Sequence, residues 1–270
     1  MPNKRIGLLG CGRLGRPLAH LLIKEGHDVY ALTQTPKSAQ KLRQEGIWAL
    51  DCDLNPECSI LLPAEILACD EWIITIPFKR DLKDPYQYSR LMGYLCSLLP
   101  KKEGAIMMCS STSVYPNRDG LMTESMPFVF DSSRQEALYQ AEQVILSSSY
   151  NAKVLRIGGL VSGPEFFAQS PSRLKSADQP VNLIFRSDVV HVMAYLRTCH
   201  HFSGVLNVVA NEHPTRRELY GYYAQLLGIM APAFNEQLPA IQKIVSNERL
   251  KKVLDYKGDL TLFKGGKGDD

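Results

Sequence analysis

Three glycines near the amino terminus, Gly10, Gly12 and Gly15, stand in G-x-G-x-x-G spacing. Between a strand and a helix that spacing suits a dinucleotide. The first glycine permits a tight turn, the second lets a pyrophosphate approach the backbone, and the third lets helix and strand pack closely. Arg13 and Leu14 lie inside the same turn, where the start of the helix offers free N–H groups and the positive end of its dipole to phosphate. The competing reading is a glycine-rich turn that binds nothing. A second polar set, Thr33-Gln34-Thr35-Pro36-Lys37, falls where an NAD-binding protein usually carries an acid for the adenine ribose hydroxyls. An acid would repel a 2′-phosphate, whereas hydroxyls, an amide and a lysine accept one. The expected cofactor is therefore NADP, with NAD as the alternative and Lys37 as a solvated lysine at a helix start.

These residues need a particular scaffold. A short apolar strand leads into the glycine turn, and Leu18, Ala19, Leu21, Leu22 and Ile23 continue a helix that Gly26 ends. His27 to Leu32 is a second strand, which completes a βαβ unit. A second helix is expected over Ser38 to Gly46 and a third strand over Ile47 to Leu50. Glu71 to Pro77 is a continuous apolar strand, as expected where helices cover both faces of a sheet. Ligands sit at the carboxyl ends of such strands, so Ile76, Pro77 and Phe78 are expected near the cofactor. Lys79 and Arg80 are placed to hold an anionic substrate; the alternative is a basic surface loop. Tyr86 to Leu99 carries apolar residues at helical spacing, and Ala105 to Cys109 is a strand running into Ser110-Ser111-Thr112-Ser113-Val114-Tyr115.

Composition narrows the field. The chain has 270 residues, 45% hydrophobic and 22% charged, with a net charge of +3. That charge is too small to argue for nucleic acid or a membrane surface, and no apolar run has the length of a membrane-spanning helix. The seven cysteines are scattered and form no C-x-x-C pair, as in a cytoplasmic protein with reduced thiols. The apolar run before Cys11 is too short for a lipoprotein signal. His200-His201 is a poor metal pair, and no metal is expected. The expected partner is a small-molecule substrate, with a homodimer as a further possibility.

The strand leading into Ser110 to Pro116, followed by Gly120 and Thr123-Glu124, resembles the active-site strand of the extended short-chain dehydrogenases/reductases, the family of nucleotide-sugar epimerases and dehydratases. Leu155 to Pro164, Val181 to Ile184 with Ser187 to Val190, and Leu206 to Val209 followed by Pro214 to Leu219 are similar to later segments of that family in the right order. The short glycine motif and the closing Lys243 to Leu250 look most like its atypical, YeeZ-like bacterial subgroup. The resemblance implies a Rossmann-type α/β fold, a doubly wound parallel sheet with a small C-terminal substrate-binding lobe. Residues 1–160 would form the dinucleotide-binding domain. Residues 161–264 would be mainly the substrate lobe, with 181–210 returning to the Rossmann sheet and 265–270 a disordered tail.

For chemistry the resemblance has a gap. Ser111 falls on the family's catalytic serine/threonine, which hydrogen-bonds a substrate oxygen, and Ser110 lies beside the cofactor. The family's Tyr-x-x-x-Lys pair is absent, because Ser132 fills the tyrosine slot and Glu136 the lysine slot. Tyr139 cannot stand in, since it lies about 10 Å further along the helix. Serine is a poor acid or base without a neighbour that activates it. Glu136 could act through water, Asp131 reads as a helix cap, and Tyr115 is a candidate donor that otherwise packs. Asn182 and Arg186 fall where relatives often contact substrate, although Arg186 also reads as a solvated charge. Two functions follow. The first is an NAD(P)-dependent oxidoreductase or epimerase acting on a small polar substrate, sugar-like or anionic. The second is a catalytically inactive NAD(P)-binding sensor or interaction protein.

Overall fold

The computed structural model describes residues 3–54, 61–79, 82–100, 104–168, 176–235, 237–254 and 259–263. The chain runs β1 (Arg5–Leu9), α1 (Gly15–Lys24), β2 (Asp28–Thr33), α2 (Pro36–Gln44), β3 (Trp48–Asp51), α3 (Ala64–Leu67), β4 (Glu71–Ile74), α4 (Gln87–Leu98) and β5 (Ala105–Ser111). It continues through β6 (Gly120–Met122), α5 (Ser133–Leu146), β7 (Asn151–Ile157), β8 (Gly159–Val161), β9 (Leu183–Phe185), α6 (Arg186–Thr198), β10 (Gly204–Val208), α7 (Arg216–Leu227), β11 (Lys243–Val245) and α8 (Glu248–Leu254).

A seven-stranded sheet in the order β10-β7-β5-β4-β1-β2-β3 carries the chain. The pairs β1–β2, β1–β4, β2–β3 and β4–β5 are parallel, and helices flank them, so the fold is the expected α/β Rossmann type. Strands buried on both faces need unbroken apolar runs, and β4 is buried at every position. Gly7 pairs with Trp72 across β1 and β4. A Cβ on Gly7 would come within 2.7 Å of the indole, so the glycine makes room for the largest core side chain.

Two compact units divide the chain. The first comprises Met1–Val114, Ser132–Arg156 and Val190–Val205. The second comprises Tyr115–Asp131, Ile157–Val189 and Leu206–Asp270, and contains the two-stranded sheets β11–β6 and β8–β9. Its core gathers Val161, Phe167, Phe185, Leu219 and Tyr223, with Phe167 stacked on Tyr223 at 4.2 Å.

Several local boundaries move. β4 ends at Ile74, which leaves Thr75 to Pro77 as loop. Ser132, not Asp131, caps α5, accepting from the Gln135 amide, while Asp131 accepts the Asn117 amide. The helix expected from Val189 begins at Arg186. Arg80 and the segment 265–270 lie outside the described residues. No helix among the described residues is long and apolar enough to cross a membrane.

Candidate functional site

The glycine turn has the geometry its spacing predicts. Gly10 takes φ +91, a conformation side chains resist, and its amide donates to the Leu32 carbonyl at the end of β2. The Thr75 hydroxyl donates to the Gly10 carbonyl and fastens the turn to the end of β4. A Cβ on Gly15 would lie 2.6 Å from the Gly10 oxygen and 2.9 Å from the Thr75 hydroxyl, so only glycine lets α1 pack this closely. At Gly12 the Cβ position faces open space. Arg13 is exposed and Leu14 is buried beneath the turn.

The start of α1 differs from those of α2, α5 and α7. Thr35, Ser132 and Thr215 each lend a hydroxyl to the first turn of their helix. α1 has no side-chain cap and no acid in its first turn, so its first amides remain unpaired by side chains. Open space at Gly12 and a helix start without a side-chain cap fit a pyrophosphate. The other cofactor candidates surround the same strand ends. Thr33 ends β2 opposite Asp51, and Thr35 is occupied in capping α2, while Gln34 and Lys37 are exposed. Asp51 is an acid near the expected ribose position that sequence order concealed, since it arrives from β3. After β4, Ile76 and Phe78 are partly buried and Pro77 is exposed. The Ile76 carbonyl accepts from the Tyr88 hydroxyl, and Phe78 packs on the Tyr88 ring at 4.9 Å. The Arg134 guanidinium lies 4.5 Å over Phe78 and donates to the carbonyl of Lys79, whose own side chain is exposed.

At the end of β5 two adjacent serines have different surroundings. Ser110 is buried and donates to Glu142, which takes a bidentate ion pair from Arg156 at 2.7 Å. Both charged side chains are fully enclosed. Ser111 is partly exposed. Its oxygen accepts the Ser113 amide, which fixes the side chain, and its O–H has no acceptor among the described residues. Ser110 is thus a structural tie, and Ser111 is free to donate.

On α5, Ser132 is occupied as the helix cap. Glu136 accepts the phenolic O–H of Tyr86 at 2.7 Å, with Gln140 on its other oxygen. The Glu136 carboxylate pushes the Tyr86 phenol above its usual value, so the hydroxyl stays protonated. Tyr86 is the residue that sequence reasoning missed. It precedes α4, fifty residues before its partner.

Within the second unit, two of three candidates have structural duties. Tyr115 is fully buried and donates to Asn207 at 2.7 Å, so it packs and is no proton donor. Asn182 bonds the Lys243 carbonyl and the Val245 amide, fixing β11, and has no amide end left for a substrate. Arg186 is partly buried at the start of α6.

The chain is 27% identical to protein YeeZ of Escherichia coli K12 over 264 residues, covering 94% of this chain and 95% of that protein. That likeness runs along most of both chains. Residues 5–75, the glycine-turn region, match the family model described as NADP oxidoreductase coenzyme F420-dependent. Among solved structures, the human epimerase family protein SDR39U1 with NADPH aligns with TM-score 0.73 at 17% identity, over 96% of each chain. The UDP-glucuronic acid 4-epimerase of Bacillus cereus, solved with UDP-glucuronic acid and NAD, aligns with TM-score 0.74 at 13% identity, over 96% of each chain. The chain therefore shares the α/β fold of these solved structures.

Proposed function

We propose that this protein is a nicotinamide-dinucleotide-dependent oxidoreductase or epimerase acting at a hydroxyl- or carbonyl-bearing carbon of a small polar substrate, sugar-like or anionic. The observation that carries the reading is the bare start of α1 beside the open face of Gly12. When bound, the nicotinamide supplies hydride transfer. Exposed Lys37 and the absence of an acid at the end of β2 favour NADP, and Asp51 opposite Thr33 favours NAD.

The chain's own residues then have separate tasks. The Ser111 O–H hydrogen-bonds the reacting oxygen. The proton moves through Tyr86 and Glu136. As the phenol oxygen accepts the proton of the substrate hydroxyl, its own proton passes to the Glu136 carboxylate, and the reverse transfer protonates a carbonyl oxygen. This needs no phenolate, in keeping with a phenol held protonated. Lys79 offers a cation to an anionic substrate.

Titration with NADPH and NADH, followed by nicotinamide fluorescence, tests the cofactor. A carbonyl and nucleotide-sugar screen, read at the absorbance of the reduced nicotinamide, tests turnover, and Ser111→Ala should abolish it. A second reading rests on Ser132 and Glu136 standing where the resemblance implies a tyrosine and a lysine. On that reading the protein is a dinucleotide sensor without catalysis, and tight cofactor binding with no turnover across the screen would support it.

A further inference from the structure

The proton transfer proposed above needs Tyr86 aimed at Glu136, yet Tyr86 lies just before the first residue of α4, at the end of a loop. A loop residue keeps such an aim only when its surroundings lock it. Tyr86 is tied at both of its peptide groups. Its amide donates to Asp84 Oδ1 at 2.9 Å. Its carbonyl accepts the hydroxyl of buried Ser89 at 2.9 Å and the Arg90 amide at 3.1 Å. Pro85, between Asp84 and Tyr86, fixes one more backbone angle. The second Asp84 oxygen takes Arg90 Nη2 at 2.6 Å. The carboxylate is therefore held from α4 while it holds the loop.

Starting a helix requires less than this. A serine or an asparagine would accept the same amide. An ion pair whose aspartate and arginine side chains are 43% and 52% exposed adds little stability. What the carboxylate adds is a second anchor and a charge. The Arg90 hydrogen bond holds Asp84 below the usual carboxylate range, so it is ionised at neutral pH. The charged groups acting on the Tyr86 phenol are Glu136 of α5 and Asp84 of the loop. The hydrogen bond to Glu136 comes first, then partial burial, and the Asp84 charge acts in the same direction, upward.

We infer that Asp84 is a positioning residue for the proton transfer: it holds the Tyr86 backbone, is itself held by Arg90, and so keeps the phenol on Glu136. The inference rests on the Tyr86–Glu136 reading proposed above. Asp84 moves no proton itself.

The test uses the whole protein, isotopically labelled at the hydroxyl-bearing ring carbon of tyrosine. The resonance absent from Tyr86→Phe reports the phenol, and NMR follows its titration with pH. Asp84→Ala removes the acceptor. It should move that titration to lower pH and cut kcat about tenfold to a hundredfold, with KM nearly unchanged. Asp84→Asn keeps an acceptor for the amide and should recover most of both. A wild-type titration in Asp84→Ala overturns the inference and leaves Asp84 as a helix cap. So does an asparagine variant no better than the alanine one. Full turnover by Tyr86→Phe would instead overturn the reading beneath it, and the role of Asp84 in proton transfer with it, whatever the titration shows.

Discussion

Tyr86 donates its phenolic hydrogen to Glu136 at 2.7 Å, joining the residue before α4 to the first turn of α5. The carboxylate stands where the resemblance read in the sequence implies a lysine, and its partner is a tyrosine from elsewhere in the chain. Tyr86→Phe and Glu136→Gln should each lower kcat by about 10²–10⁴, the usual contribution of a positioned acid or base. Cofactor affinity should change less than about twofold if the pair acts only on the proton. Steady-state kinetics on a substrate found by screening, with a parallel fluorescence titration, reads both.

Two of the glycines in the turn should fail differently. Gly12→Ala meets open space and should fold with unchanged Tm, while its methyl obstructs the pyrophosphate and weakens NAD(P)H binding by about tenfold or more. Gly15→Ala collides with the Gly10 carbonyl and should lose about 1–3 kcal/mol of stability. Denaturant unfolding beside cofactor titration separates the two effects.

Lys37 is the exposed cation after β2. Lys37→Glu should weaken NADPH binding about tenfold, the equivalent of one charge-assisted hydrogen bond, and leave NADH nearly unchanged. Equal losses for both nucleotides would assign Lys37 to the solvent.

Glu142 and Arg156 form an enclosed pair beneath Ser110. Glu142→Gln leaves the guanidinium charge buried without a counter-ion and should cost about 3–5 kcal/mol. The double variant Glu142→Leu, Arg156→Met should recover most of that loss, since removing both charges also removes the desolvation penalty. Urea midpoints at a common m-value measure both.

Histidine titration should mark the stability curve. His27 is held below its usual 6.5 in the native state, first by burial and then by Arg197. As pH falls through 6.5 the unfolded chain takes up a proton that the native chain refuses. Unfolding therefore becomes easier until the lowered native value is passed, below which the loss levels off. Stability measured by urea across this range should decline on the acid side, and His27→Gln should remove that component of the slope.

The glycine turn and the apolar strands were legible because their signals are local. Glycine spacing and unbroken apolar runs each act within a few residues. The site was less legible where partners are distant. Nothing around Tyr86 announces Glu136, and nothing around Ser110 announces Glu142 and Arg156, since these contacts depend on how helices and strands are stacked. Adjacent Asp131 and Ser132 both carry a capping oxygen, and only the observed loop shows that the aspartate serves Asn117 instead. Asn182 was expected to contact substrate because the resemblance places such contacts there, yet both ends of its amide bond the backbone around β11.

Asn207 accepts from Tyr115, donates its backbone amide to the Glu124 carboxylate and its side-chain amide to the Ser246 carbonyl. It therefore stitches together pieces that a ribosome delivers far apart in time. Tyr115 and Glu124 emerge first and must wait, without their native partners, for about eighty residues until Asn207 appears and for some forty more until Ser246 follows. Synthesis that halts after β10 would leave Asn207 without Ser246 and the second unit without the strand and helix that close it.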